Sequence, residues 1–142
     1  MNSLQNAKEY IQWVSNSIKL DSAAVKSQKR MVYRGQVYWC WFGINIGAEM
    51  NKKRPCVIVQ NRLGNLHSPN VIVAPITHSS ADLDVVAPLE NKYDANNNLI
   101  LDGYVNLGNI VTVSKARLDT LITTLSRAEM ELIDIASAKS MI

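Results

Sequence analysis

The spacing of apolar residues divides the chain into three zones. Over residues 3–20 they recur at alternating intervals of three and four, at Leu4, Ala7, Ile11, Val14 and Ile18. This spacing predicts a helix with a narrow apolar stripe, with Ser3 as its N-cap. Two heptads are too short for a stable helix alone in water, so the stripe needs a partner. That partner is the chain's own domain, a second copy, or another protein. Residues 21–30 are polar and are interpreted as a connector.

The middle zone, from residue 31 to about 113, has the pattern of strands. Residues 34–41 are rich in aromatic and β-branched side chains around a glycine, which predicts a first strand. Residues 55–60 and 71–76 are continuous apolar runs, as expected of strands buried on both faces. Pro75 cannot donate a ladder hydrogen bond, so it predicts an edge or a bulge. Shorter strands are expected at 84–89 and 104–113, with turns at 61–70 and 94–98.

The last zone is helical and begins at a capping box. Ser126 is placed to accept from the amide of Glu129, whose side chain can reach back to the serine. The order of elements is therefore a helix, five or six short strands, and a helix. This order predicts a mostly β protein with flanking helices, built on a small antiparallel barrel or curled sheet.

Length and composition restrict the class of protein. With 142 residues, 47% of them apolar and 19% charged, the chain suits one domain with a real core, which excludes wholesale disorder. It has no run of about 18 uncharged apolar residues, which argues against a membrane span, and no secretory signal pattern. Cys40 and Cys56 are too few for a zinc site and a disulfide framework is not expected, so a reducing cytoplasm is the simplest setting.

A local basic cluster changes the picture more than the net charge of +3 does. Lys52, Lys53, Arg54 and Arg62 are accompanied by a single acid, Glu49. Such a cluster can hold one or two phosphates, although a solvated loop has the same pattern.

The sequence lacks most catalytic signatures, including a phosphate-binding glycine loop, a nucleophile elbow and a paired-histidine zinc motif. His67 and His78 fall in different predicted loops, and the acids are scattered. Any catalysis should therefore proceed without a metal or cofactor and use fixed positive charge and hydrogen-bond donors. Trp39 and Trp41 alternate onto one face and are interpreted as core residues rather than as platforms for stacking RNA bases.

Several motifs in a consistent order carry a resemblance to a known family. They are Arg34-Gly35-Gln36-Val37-Tyr38-Trp39, the stretch from Gly47 to Pro55 ending in Lys52-Lys53-Arg54-Pro55, Val59-Gln60-Asn61, Gly64-Asn65, Ser68-Pro69, the strand Val71-Ile72-Val73-Ala74-Pro75-Ile76-Thr77, and Val113-Ser114-Lys115-Ala116-Arg117-Leu118. Over about 31–142 the chain resembles the MazF/PemK toxins. We therefore expect an N-terminal helical extension over 1–30 and a toxin domain over 31–142.

The resemblance implies a function as well as a fold. Members have a small SH3-like barrel, are usually dimeric and are silenced by a cognate antitoxin. They cut single-stranded RNA at short sequences without a metal, using the ribose 2′-hydroxyl and leaving a 2′,3′-cyclic phosphate and a 5′-hydroxyl. By motif, Arg54 is the catalytic arginine and Thr77 the catalytic threonine.

The physical roles of these residues follow from their side chains. Arg54 offers a planar fork of donors for two phosphate oxygens, and the Thr77 hydroxyl adds one more. A guanidinium stays protonated at neutral pH and is a poor base. Glu49 is therefore the first candidate for the base and His78 the second. Alternatively, Arg54 only pairs with Glu49, and Thr77 only ends a strand.

RNA binding is expected of a further set of residues. Its members are Lys52, Lys53, Asn61, His78 and Asn109. Gln60, Asn61 and Asn65 are also explained as turn formers. The chain departs from the family at Arg62, where an acid is usual, at Asn109, where a glutamine helps to read RNA, and at Val111, where an arginine is usual.

Two other functions remain open. Asn109 and Val111 would suit a catalytically weakened module that binds RNA or a partner. A gyrase poison like the CcdB toxins shares the fold, but the Trp-Gly-Ile tail of those toxins has no counterpart in Lys139-Ser140-Met141-Ile142.

Overall fold

A computed structural model of the protein describes residues 6–16, 30–43, 53–78 and 85–140. Residues 6–16 form a helix, α1. The remaining helices and strands follow in chain order: β1 Gln36–Trp41, β2 Lys53–Ile58, α2 Arg62–His67, β3 Asn70–Thr77, β4 Val86–Pro88, β5 Lys92–Tyr93, β6 Leu99–Leu101, β7 Tyr104–Asn106, β8 Val111–Ser114, β9 Leu118–Thr124 and α3 Arg127–Ser140. Short 3₁₀ helices at Leu107–Asn109 and Lys115–Arg117 precede β8 and β9.

The strands form an antiparallel sheet in the order β4–β7–β3–β2–β1–β9, with β8 also paired to β3 and β5–β6 as a separate hairpin. The predicted mostly β fold with a helix at each end of the chain is confirmed. The expected closure into a barrel is wrong, because no pairing among the described residues joins the edge strands β4 and β9.

Strand β3 lies in the middle of the sheet, so the expectation of an edge or bulge at Pro75 is wrong. The Val59 amide donates to the Ile72 carbonyl at 3.0 Å, so the backbone groups of Ile72 point toward β2. Because these groups alternate in direction along a strand, those of residues 73 and 75 point the other way. The Pro75 nitrogen therefore points away from β2. On that side β3 pairs with β8 as far as Val73 and with β7 from Ile76 onward. Pro75 lies where the partner changes, so its missing N–H removes no ladder hydrogen bond.

Both faces of the sheet are covered, as the continuous apolar runs predict. Val57 belongs to a cluster that packs against α3 through Ile133 and Ala136, which we call the helix-side cluster. The neighbouring Ile58 points to the other face, into a second cluster with Tyr38, Val73 and others. Two adjacent, fully buried residues of β2 thus serve two different clusters.

Three segments differ from the predicted elements. The expected strand over 104–113 is interrupted by the 3₁₀ helix Leu107–Asn109, which Asn106 caps by accepting from the Gly108 amide at 3.0 Å. The expected turn over 61–70 contains α2. Strand β9 is not predicted by the apolar pattern, because its sequence LDTLITT is polar at four of seven positions, three threonines and one aspartate, and it is mostly exposed or half-buried.

Helix α1 contacts the rest of the chain through a different face from the predicted stripe. Ile11 and Val14 are 70% and 55% exposed, whereas the Trp13 ring packs directly on Gly43. Ser3, Leu4 and Ile18 lie outside the described residues. The partner of the apolar stripe is therefore not identified by the fold, and the domain boundary at residue 30 stays a prediction.

Candidate functional site

Arg54 and Thr77 lie on neighbouring strands of the sheet. The β2–β3 ladder ends where Cys56 pairs with Pro75, and Arg54 and Thr77 each lie two residues beyond this pair on their strands. Residues two apart along a strand share a face, so Arg54 lies on the face of Cys56 and Thr77 on the same face, that of Pro75. Arg54 is exposed and Thr77 is half-buried. The register therefore directs a guanidinium and a hydroxyl to one face at the end of this ladder.

A cavity of about 490 Å³ lies on the same face. Its wall includes Pro75, two residues before Thr77 and hence on the same side of β3, together with Phe42, residues 108–114 and Arg117. Asn109, a predicted RNA-binding residue, is in this wall and exposed. The cavity is lined by both polar and apolar groups, which suits a ligand with a flat base and a charged backbone.

Arg117 is a member of this wall to which the sequence analysis assigns no role. Its Nη1 donates to the Trp41 carbonyl at 2.9 Å, and its guanidinium carbon lies 5.3 Å from the centre of the Trp13 ring. The available signal was its place in the Val113–Leu118 motif that supports the resemblance. That motif does not reveal that Arg117 lies beside the end of β1.

Lys53 and Arg54 point in opposite directions although they are adjacent in the sequence. Lys53 lies over the Trp41 ring, 5.0 Å from its centre, and forms an ion pair with Asp119. Alternation along β2 directs it away from the Arg54 face. Lys52 and Glu49 lie outside the described residues, so the predicted base Glu49 has no described position.

The tryptophans of β1 are not core residues. Trp39 is 36% exposed and Trp41 is half-buried, whereas Val37, Tyr38 and Cys40 are buried. The core interpretation is therefore wrong for both tryptophans. It fails because the helix-side cluster, which lies on the face to which both tryptophans point, includes Val37 but no later residue of β1.

Asn61 has a structural contact in addition to its predicted role in RNA binding. Its side chain caps α2 by accepting from the Gly64 amide at 2.9 Å. The neighbouring Asn65 is fully buried and donates to the Gln60 carbonyl, while the Gln60 side chain accepts from the Ile72 amide. Gln60 and Asn65 thus make structural contacts, Asn65 within α2 and Gln60 across to β3.

His78 lies beside Thr77 and is held by a carboxylate. Its Nε2 is 2.7 Å from Oδ1 of Asp102, and its side chain is 78% exposed. Gly103 has a φ of +104°, and a Cβ there would lie 2.5 Å from the Thr77 carbonyl oxygen. This close backbone approach keeps Asp102 next to the end of β3. An imidazole oriented by a carboxylate can accept or donate a proton to a bound ligand.

The buried titratable groups are structural. A hydrogen bond with Cys40 and burial raise the pKa of the Cys56 thiol well above its usual value, so this buried, free cysteine stays protonated. Burial also lowers the pKa of Lys115, whose Nζ donates to the Asn65 carbonyl beneath α2. Neither group faces the 490 Å³ cavity.

The described residues contain neither a cluster of metal-ligating side chains nor a helix that could span a membrane. No three histidine, cysteine, aspartate or glutamate side chains there are grouped as metal ligands would be. None of the helices in the described ranges has the length and hydropathy required to cross a bilayer.

The fold belongs to the class of small antiparallel sheets with a helix packed against one face. Residues 33–141 match the sequence profile of the PemK-like, MazF-like toxins of type II toxin–antitoxin systems. The chain therefore belongs to this family, as the motifs of the sequence indicate.

Individual relatives agree with this assignment. The chain is 37% identical over 108 residues to endoribonuclease MazF of Staphylococcus epidermidis, covering 75% of this chain and 88% of the relative. A mycobacterial endoribonuclease has a TM-score of 0.64 at 26% identity, covering 79% of this chain and 92% of the other. A mycobacterial endoribonuclease in complex with its cognate antitoxin has a TM-score of 0.61 at 27% identity, covering 78% and 94%.

Proposed function

We propose that the protein is the toxin of a type II toxin–antitoxin pair and a metal-independent, sequence-specific endoribonuclease that cuts single-stranded RNA. The relatives named as endoribonucleases support the reaction class. The observation that carries the proposal is the β2–β3 register, which directs Arg54 and Thr77 to one face beside a 490 Å³ cavity.

In the proposed reaction the ribose 2′-oxygen attacks the adjacent phosphorus and the bond from phosphorus to the 5′-oxygen breaks. Arg54 donates two N–H groups to non-bridging oxygens, and the Thr77 hydroxyl donates to the same phosphate, so both stabilise the charge of the pentacoordinate state. The products are a 2′,3′-cyclic phosphate and a 5′-hydroxyl, the leaving oxygen taking up a proton.

The acceptor of the 2′-hydroxyl proton is Glu49 or His78. Glu49 is favoured by its place five residues before Arg54 in the sequence. His78 is supported by its position directly after Thr77 and by its contact with Asp102. The cleavage rates of Glu49→Gln and His78→Gln, measured over a series of pH values, distinguish the two candidates. Only the variant that lacks the base should lose the increase in rate with pH that the base produces.

The test of the proposal is cleavage of a long RNA in EDTA by the wild type and by Arg54→Ala. We expect the wild type to leave cyclic phosphate and 5′-hydroxyl ends, and Arg54→Ala to cleave about 10²–10³-fold more slowly while remaining folded. Arg127→Ala is the matched control, because Arg127 is an exposed arginine at the start of α3 that lies outside both the cavity wall and the basic cluster. Cleavage by Arg54→Ala at the wild-type rate would contradict the mechanism. So would a loss of cleavage by the wild type when EDTA is present.

The second candidate is a binding module that retains RNA but does not cut it. The observation that favours it is Val111, which is 40% exposed and lies in the cavity wall where the family usually has an arginine. Such a protein would bind a mixed-sequence RNA and release no cyclic phosphate. The Arg54→Ala experiment separates the two candidates, because only an enzyme has cleavage to lose.

We also propose a homodimer in the cytoplasm that a cognate antitoxin inactivates. The antitoxin is supported by the solved relative that is in complex with its own antitoxin, and the dimer by the resemblance to the family. Light scattering on the purified chain tests the dimer, and co-purification with the product of the neighbouring reading frame tests the antitoxin.

A further inference from the structure

An aromatic ring of α1 contacts a guanidinium of the cavity wall. The Trp13 ring centre lies 5.3 Å from Cζ of Arg117, a distance at which the face of an indole attracts a cation. The two residues are 104 positions apart in the sequence. The contact therefore connects the N-terminal helix to the cavity described above.

The Arg117 side chain is held at two points. Its Nη1 donates to the Trp41 carbonyl at 2.9 Å, and Trp13 lies against the guanidinium. Arg117 also lines the 490 Å³ cavity. An arginine that is already oriented loses less conformational entropy when it binds an anion than one that moves freely.

The Trp13 ring packs closely against the backbone of Gly43. Gly43 has a φ of +86°, and a Cβ built on it would lie 2.6 Å from the Trp13 ring. Only a residue without a side chain allows the ring this close to the backbone after β1. The ring therefore lies close to both the backbone of Gly43 and the guanidinium of Arg117.

We propose that Trp13 is a positioning residue, which holds Arg117 in the cavity wall so that the guanidinium binds a phosphate of the RNA strand. Helix α1, which precedes the family domain, thereby raises the affinity for RNA without touching the reacting atoms. This inference rests on the proposed endoribonuclease function.

The test is a double-mutant cycle on cleavage kinetics with Trp13→Ala, Arg117→Ala and both together. Arg117→Ala should raise KM about tenfold, and lower the salt dependence of RNA binding by about 0.7 in log–log slope, with kcat little changed. Trp13→Ala should raise KM about two- to fivefold. The double variant should match Arg117→Ala, because Trp13 acts only through Arg117.

Two further variants separate positioning from general damage. Trp13→Phe retains an aromatic face and should restore most of the wild-type KM. Tyr10→Ala is the control, since Tyr10 is an aromatic residue of the same helix that is 54% exposed and lies outside the apolar stripe. Its KM and kcat should equal those of the wild type.

The outcomes also separate the two proposals. If the wild type does not cleave the long RNA, the proposed function is overturned, and this inference with it. Cleavage by the wild type with an unchanged KM in Trp13→Ala overturns the inference alone. So does a double variant whose KM is raised by the product of the two single effects, because Trp13 would then act independently of Arg117.

Discussion

Asn109, which we expect to bind RNA, lies in the cavity wall. Its amide carries both donors and an acceptor, as a base edge requires, and it reaches one methylene less far than a glutamine would. Because it is exposed, it contributes little to folding. Its contribution should therefore appear in the choice of cleavage sequence.

We expect Asn109→Ala to relax the preference for one base beside the cut, by about fivefold, the value of one ordinary hydrogen bond. The rate at the preferred sequence should fall by no more than the same factor. Sequencing the 5′-hydroxyl ends released from a long RNA measures both quantities. Asn96→Ala, in the turn between β5 and β6, is the control. An unchanged set of cut sites would show that Asn109 does not read RNA.

The contrast between Lys53 and Arg54 shows the limit of prediction for single residues. The sequence pattern places the first strand residue at Pro55, so both cations are expected in one loop. Strand β2 begins two residues earlier, at Lys53, and the alternation of side chains then sends the two cations to opposite faces. A boundary error of two residues therefore changes which cations belong to the site. The Trp13–Arg117 contact is not predictable at all, because no local pattern connects residues so far apart.

At the scale of elements, the N-terminus of α3 is a capping box with a buried carboxylate. Glu129 accepts from the Ser126 amide at 3.0 Å, and the Glu129 amide donates to the Ser126 hydroxyl at 3.2 Å. The same carboxylate accepts from Lys92 Nζ at 2.6 Å and from the Glu90 amide at 3.1 Å. The box is local and was predicted from the sequence. Its partners in the β4–β5 region lie 37 and 39 residues away and were not.

Glu129 should make the stability of the protein depend on pH. Burial raises the pKa of its carboxyl, but the hydrogen bonds from Lys92, Ser126 and Glu90 outweigh burial, so the pKa lies below the usual 4.5. A lowered pKa means that the unfolded chain binds the proton more readily than the folded one. The stabilisation is therefore complete above about pH 4.5 and is lost as the pH falls through the lowered value.

We expect Glu129→Gln to reduce the free energy of unfolding by about 2 kcal/mol at pH 7, because Lys92 loses its charged partner in a mostly buried setting. The difference from the wild type should shrink as the pH falls below 4.5. Urea denaturation at a series of pH values measures both effects. Glu131→Gln is the control, since its pair with Arg127 is exposed and should contribute less than about 0.5 kcal/mol. A difference that does not change with pH would refute the role of the carboxylate charge.

At the scale of the whole molecule, the sequence predicts which strands are buried but not how the sheet ends. Two continuous apolar runs predict that β2 and β3 are covered on both faces, and they are. Closure of a barrel depends instead on hydrogen bonding between strands that are distant in the sequence. Strand β9 is largely polar, and it forms an edge of the open sheet. No periodic pattern reports such a pairing.

The two apolar clusters share one sheet, so they should unfold together. Val57 and Ile58 are adjacent, fully buried and in different clusters. Val57→Ala and Ile58→Ala should each lower the free energy of unfolding, by about 2 and about 3 kcal/mol, since each leaves a cavity.

Far-ultraviolet circular dichroism reports the whole sheet, whereas fluorescence reports Trp13, Trp39 and Trp41 near the end of β1. The two probes should give coincident transitions in both variants. Leu121→Ala, on the exposed face of β9, should shift neither. If one substitution shifted the unfolding transition of only one probe, the clusters would be separate folding units. A change in one cluster would then not be transmitted through the sheet to the face that carries Arg54 and Thr77.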